Sequence, residues 1–141
     1  MYVLDTNVVS EIRRAASGRA EQRVIQWALR VEPALTYISV VTFMELEIGV
    51  QLVERRDEPS GVILRRWLED DVRAAFEGRT LPVDIEVARI AAQLHVPDPA
   101  PVSDALIAAT AMAHSMTVVT RNTSDFSRFD GLDVLNPWIE D

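Results

Sequence analysis

Five short apolar runs punctuate this chain, and between them lie longer stretches whose apolar residues fall at helical spacing. The runs are YVL at 2–4, ALTYI at 34–38, TLPV at 80–83, TVVT at 117–120 and the closing DVLNP. Strands that alternate with helices pack as an α/β fold, a mainly parallel sheet joined by right-handed crossovers. The spacing predicts helices over the VVSEIRR stretch after Asn7, over 20–31, from Ser39 to about Arg56, over about 61–77, over 84–95 and over 104–115. Local signals set their limits. Pro33 ends the 20–31 helix, Ser39 and Asp84 are N-caps, Asp57 to Gly61 form a turn, and Gly78 is a C-cap. Val24, Ile25, Ala28 and Leu29 form the apolar side of the 20–31 helix. The proline-rich 97–103 and the polar RNTSDFSRFDG read as loops. With 141 residues and no repeat, low-complexity tract or linker, one domain is expected.

A sheet of this kind receives ligands beyond the carboxyl ends of its strands. The first run passes there at once into Asp5, which has no obvious packing role. What Asp5 can do is narrowed by what the chain lacks. There is no cysteine, so thiolate zinc sites, disulfides and cysteine nucleophiles are excluded. His95 and His114 are too few for a histidine cluster, and His114 reads as a structural residue at a helix end. The net charge is −8 and every basic residue is arginine. That balance argues against nucleic-acid binding by bulk electrostatics, but leaves room for local phosphate contacts through arginine forks. No apolar run approaches the roughly 18 residues of a membrane span, and no secretion signal is evident, so a cytoplasmic protein is expected.

Other acids break the apolar pattern. On the 39–56 helix, Val41, Ile48 and Leu52 line one face and Glu45 falls at its edge, whereas Glu47 points away beside Gln51 and Glu54. Pairing of Glu45 with Arg55 or Arg56 is the competing explanation. Asp104 opens a helix apolar nearly all round, which places it in the interior. An acid in the first turn, next to a Ser103 cap, also suits the helix dipole. Ala108 and Ala111 on its side would leave space for a ligand. Asp125 follows the TVVT strand as Asp5 follows the first strand, so both emerge at one sheet edge; a local Asx turn competes. Asp130, before Gly131, reads as turn chemistry. Carboxylates held together away from water raise one another's pKa unless a cation compensates. Oxygen-only donors favour Mg²⁺, with Mn²⁺ as a substitute, and such sites act on phosphate esters.

The motifs VLDTNVVSE, FMELEIGV, SDALIAATA, VVTRNTSDF and LNPW, in this order, make the chain resemble a PIN-domain ribonuclease. The likeness is to the toxin half of a type II toxin–antitoxin pair, the VapC family in its FitB-like branch, and it spans essentially the whole chain. It implies a PIN-like single domain with about five mainly parallel strands between helices. It implies acids at Asp5, Glu45, Asp104 and Asp125 as catalytic metal ligands, with Thr6, Asn7, Thr120 and Asn122 in support. It implies RNA cleavage leaving a 5′-phosphate, inhibition by a cognate VapB- or FitA-like antitoxin that also supplies DNA binding, a homodimer, and a higher-order complex on operator DNA. The PDPAP segment departs from relatives, which often carry a glycine there. Arg13, Arg14 and Arg121 are candidates for substrate phosphate contacts, against a plain surface role.

Two other readings compete. Phosphoryl transfer through an aspartyl phosphate on Asp5 would use a lysine, which is absent, and often a second Asp where Asn7 stands. P-loop chemistry fails for want of the same lysine. A non-catalytic partner-binding subunit of a regulatory complex is compatible with the acids as a socket for a partner's arginine, which could displace metal.

Overall fold

The computed structural model describes residues 1–139. Strands β1 (Tyr2–Leu4), β2 (Thr36–Ser39), β3 (Thr80–Leu81), β4 (Thr117–Val119) and β5 (Val134–Leu135) form one sheet in the order β3-β2-β1-β4-β5. Every pairing is parallel. The chain starts in the centre, winds outward through β2 and β3, then returns to the other side of β1 for β4 and β5. The carboxyl ends of β1 and β4 therefore flank the point where the winding reverses, and open α/β sheets leave a crevice there.

Neighbouring residues of a strand point to opposite faces, and both faces of this sheet are covered, which is why its strands are apolar throughout. Val3 and Val118 enter a core cluster with Ile107, Ala108, Ala111 and Phe126. Leu4, Val119 and Ile38 enter a second cluster with Val8, Trp27, Leu46, Val50 and Leu68. The helices around the sheet are α1 (Thr6–Arg13), α2 (Gln22–Arg30), α3 (Val40–Arg56), α4 (Glu58–Arg66), α5 (Ile85–Leu94), α6 (Val102–Ala113) and the short α7 (Thr123–Phe126). Ser39 and Asp84 cap α3 and α5 by accepting from the backbone N–H of Val41 and Val87. Gly78 takes the left-handed conformation (φ 76°) that ends a helical segment.

Several expectations from the sequence need correction. The turn expected over 57–61 shrinks to Asp57, and α4 starts at Glu58. Gly61 belongs inside α4, where a Cβ would lie 2.6 Å from the Glu54 Cα; only glycine lets α3 and α4 approach this closely. Beyond α4 the chain continues as a π-helical segment, Trp67–Arg73, that buries Leu68 and Val72. On α2, Val24 and Trp27 face the core while Leu29 is 81% exposed; the Trp27 ring meets Tyr2 edge-on at 5.5 Å and sets the helix rotation. On α3 the buried row is Val41, Thr42, Leu46 and Val50, whereas Ile48 and Leu52 are about half exposed. Ser103 lies within α6, whose N-cap is Pro101 and has no side-chain bond. Ala108 and Ala111 are fully buried in the core and open no space beside Asp104. The loop after β4 contains α7. Among the described residues, no helix is long and apolar enough to cross a membrane.

Candidate active site at the carboxyl edge of the sheet

Asp5 leaves β1 at the reversal point, and its backbone N–H still donates to the Val119 carbonyl at 2.9 Å, as though the strand pairing ran one residue further. Its side chain is the N-cap of α1 and accepts from the Thr6 N–H at 2.8 Å. The other carboxylate oxygen accepts from Thr120 Oγ1 at 2.7 Å and Asn7 Nδ2 at 3.2 Å. Thr120 follows the last residue of β4, which pairs with the last residue of β1, so strand register delivers this contact. Asp5 is only 6% exposed. Burial pushes its carboxyl up, the three hydrogen bonds pull it back, and the nearby Asp125 charge adds to the upward push.

The support around Asp5 is a connected network. Thr6 Oγ1 donates to Glu45 Oε1 at 2.6 Å, which ties the start of α1 to α3. Asn7 Nδ2 also reaches Thr120 Oγ1 at 3.3 Å, while Asn7 Oδ1 accepts from the Arg121 N–H at 3.1 Å. Asn122 enters through its backbone N–H, which donates to Thr120 Oγ1 at 3.0 Å. Each of the four supporting residues named from the sequence thus joins the same network.

Glu45 is half-buried, on the border between the core row of α3 and an exposed apolar stripe of Met44, Ile48 and Leu52. Its observed partner is Thr6, and among the described residues no ion pair joins it to Arg55 or Arg56. The Glu45 position was legible, although the stripe used to find it faces outward. Asp104, in the first turn of α6, has its carboxyl pushed up to about 6, first by burial and then by the charges of Asp5, Asp125 and Glu45. Asp125 sits in the first turn of α7 and is exposed. Four separate elements therefore bring these acids within reach of one another's fields. Asp5 is fixed in place by its donors although burial pushes its carboxyl up; Asp104, pushed up by burial and by like charge, is the one that takes up a proton most easily.

Among the described residues, no three His, Cys, Asp or Glu side chains already sit closely enough to hold an ion between them. The carboxylates are coupled in charge without being closed on a common point. Their chemistry nevertheless fits a hard cation: all are oxygen donors, and among the described residues no cationic side chain forms an ion pair with them.

The three arginines named as phosphate contacts lie in other settings. Arg13 ends α1, at the opposite end from Asp5, with its guanidinium 5.6 Å from the Trp67 ring centre. Arg14 lies 3.6 Å from Glu11. Arg121 is next to the acids in sequence, but its guanidinium stacks on Trp138 at 5.5 Å. Sequence reasoning also missed the apolar groove of about 780 Å³ beyond the acids, between α1, α2 and the π-helical segment, lined by Val9, Ile12, Trp27, Ala28, Trp67 and others. It missed Asn136 as well, a buried amide that braces the Arg121 carbonyl; the LNPW motif was its signal.

Sheet and acids together define an α/β protein with a carboxylate-lined crevice at its switch point. The family is equally plain: the PIN-domain model matches residues 2–132, and the chain belongs to the PIN-domain family. It is similar to the VapC ribonuclease Y4jK of Sinorhizobium fredii, at 38% identity over 98% of each chain. It is also 38% identical to the toxin FitB of Neisseria gonorrhoeae, over 98% of this chain and 99% of the relative. A solved structure of FitAB bound to an IR36 DNA fragment matches at a TM-score of 0.89 and 36% identity, covering 100% of this chain and 98% of that one.

Proposed function

We propose that this chain is a metal-dependent endoribonuclease, the toxin of a type II toxin–antitoxin pair. The observation that carries the reading is the setting of Asp104: a half-buried acid is pushed up to about 6, first by burial and then by the charges of Asp5, Asp125 and Glu45. A cluster of this kind is stabilised by a divalent cation and otherwise costs stability. Relatives named as ribonuclease and toxin, aligned along nearly the full chain, supply the substrate class and the biological role.

Asp5 and Asp104 would anchor Mg²⁺ or Mn²⁺, with Glu45 and Asp125 completing the site directly or through water. When bound, the cation supplies water activation and charge stabilisation at the phosphate. The chain's own residues set the geometry. Thr120, Asn7 and the Thr6 N–H fix both oxygens of Asp5, and the Thr6 hydroxyl fixes one oxygen of Glu45. These donors hold the carboxylates in orientation, so little reorganisation is left for the reaction itself. Asp104, easily protonated, is the acid whose charge state responds first to pH.

The same proposal includes a cognate antitoxin. An apolar segment of that partner would seat in the groove beyond α1, and an arginine from it would enter the acid crevice and compete with the cation. The groove's depth and its apolar lining support the first part; the crowded carboxylates support the second. The antitoxin would also carry the DNA-binding part of an operator complex, as the acidity of this chain requires. A homodimer is expected, supported by the exposed apolar stripe on α3. A complex in which the partner leaves all four acids open would refute the arginine block.

The test is to purify the chain free of partner, titrate Mg²⁺ and Mn²⁺, and assay structured RNAs with wild type and Asp5→Asn. Metal-dependent cleavage that disappears in the variant is expected. Undiminished cleavage by Asp5→Asn would end the proposal, and a trapped aspartyl phosphate would replace it with phosphoryl transfer.

A further inference from the structure

The LNPW motif closes the chain far in sequence from Asp5, yet a continuous set of hydrogen bonds joins them. Asn136 is 8% exposed and belongs to no strand or helix. A buried amide costs stability unless it is bonded, so an apolar residue would be the cheaper choice for packing alone. Asn136 spends both ends of its amide on one task. Nδ2 donates to the Arg121 carbonyl at 3.3 Å, and Oδ1 accepts from the Trp138 N–H at 2.9 Å. Trp138 packs against the core on the α1 side of the sheet, and its ring carries the Arg121 guanidinium at 5.5 Å. Its carbonyl accepts from Arg23 of α2 at 3.5 Å. Arg121 is thus gripped through its backbone and its side chain at once.

The consequence appears on the other side of Arg121. Its N–H donates to Asn7 Oδ1, and an amide whose oxygen is engaged there must turn its NH₂ the opposite way. That NH₂ lies 3.2 Å from Asp5 Oδ2 and 3.3 Å from Thr120 Oγ1. With the Arg121 N–H displaced, Asn7 would lose the one donor that holds its oxygen, and its hold on Asp5 would loosen. We infer that Asn136 and Trp138 are positioning residues for Asp5, acting through the Arg121 backbone and the Asn7 amide. The inference rests on Asp5 being the anchor of the acid site. Outer partners of a ligand commonly matter about 10–100-fold to affinity or activity, and a residue this far back falls at the low end.

The experiment compares Asn136→Asp, Trp138→Phe and a control, Val87→Ala, whose site is fully buried between α5 and α6. Asn136→Asp keeps the acceptor for Trp138 and removes the donor to Arg121. It should shift the Asn7 side-chain NH₂ resonance, weaken Mg²⁺ binding by about tenfold and lower kcat with little change in KM for RNA. Trp138→Phe keeps an aromatic platform and should behave as wild type, whereas Trp138→Leu should follow Asn136→Asp and replaces it if that variant fails to fold. Val87→Ala should lower the Tm and leave the Asn7 resonance and Mg²⁺ affinity alone. An unmoved Asn7 resonance in both Asn136→Asp and Trp138→Leu, or equal shifts in Val87→Ala, would overturn the inference while leaving the nuclease reading intact. A moved resonance in a chain that binds no Mg²⁺ would keep the relay and remove the nuclease reading.

Discussion

The two ends of α1 face opposite kinds of surroundings. At its start, Asp5, Thr6 and Asn7 sit in a network whose hydrogen bonds run from 2.6 to 3.3 Å and leave little freedom. At its far end, Val9, Ile12 and Arg13 line a groove that nothing among the described residues fills. The acid end is fixed from within and is short only of positive charge. The apolar end is held apart by its walls and is short of a surface to bury. One helix thus presents a site for a small hard ligand and a site for a larger apolar one, about 12 Å apart by helix rise. Substitutions at one end should leave the other untouched, and the predictions probe that separation.

The largest effect is expected at the acid end. Asp104→Asn should reduce RNA cleavage by more than about a hundredfold, beyond what outer partners of a ligand usually cost. The same change removes a charge that its neighbours oppose, so the cation-free protein should gain stability. Cleavage assays paired with thermal unfolding in chelator give both readings, and a loss of stability in chelator would mean that Asp104 is not crowded as described. At the groove end, Ala28→Asp should weaken antitoxin binding by about 3 kcal/mol, roughly a hundredfold in Kd, because it leaves a charge unpaired against an apolar partner. Cleavage by the free chain should not change. If cleavage falls with binding, the two ends are not separate.

A smaller effect tests the close approach of α3 and α4. Glycine to alanine inside a helix normally stabilises by up to about 1 kcal/mol. At Gly61 the sign should reverse, to a cost of about 1–3 kcal/mol, because the new Cβ would meet the α3 backbone at Glu54. Denaturant unfolding measures it. A neutral or stabilising result would show that α4 can move away from α3 without penalty.

The acid end was largely legible in the sequence, and the groove was not. Asp5, Asp104 and Asp125 stand at strand ends or helix starts, where local signals are strong. Thr6, Asn7 and Thr120 are within three residues of a strand end, so the register of β1 and β4 carries them to the site. Glu45 was found at the edge of a stripe that turned out to face outward, because helical periodicity gives a stripe without saying which element covers it. The groove depends on the rotation of α2 set by Trp27 and on a π-helical segment. Neither leaves a periodic trace. The setting of Arg13 was illegible for the same reason: nothing local says that Trp67 lies beneath it.

The finest separation of the two ends comes from pH. Asp104 titrates at about 6 in the fold against an ordinary 3.8, so the folded chain binds this proton more tightly than the unfolded chain does. Its contribution to stability is complete below the ordinary value and is lost as pH rises through about 6. Asp5, also raised, acts in the same direction. In chelator, this part of the stability should fall between about pH 4 and pH 6. A cation competes with the proton, so Mg²⁺ affinity should rise as the pH passes through about 6, about tenfold from pH 5 to pH 7 for one such carboxyl. Melting curves with and without saturating Mg²⁺ should therefore separate as the pH rises, and Asp104→Asn should largely close the gap. Ala28→Asp, at the other end of α1, should leave the separation as in wild type. If that variant closes the gap too, the carboxylates and the groove respond as one unit, and the independence of the two ends fails.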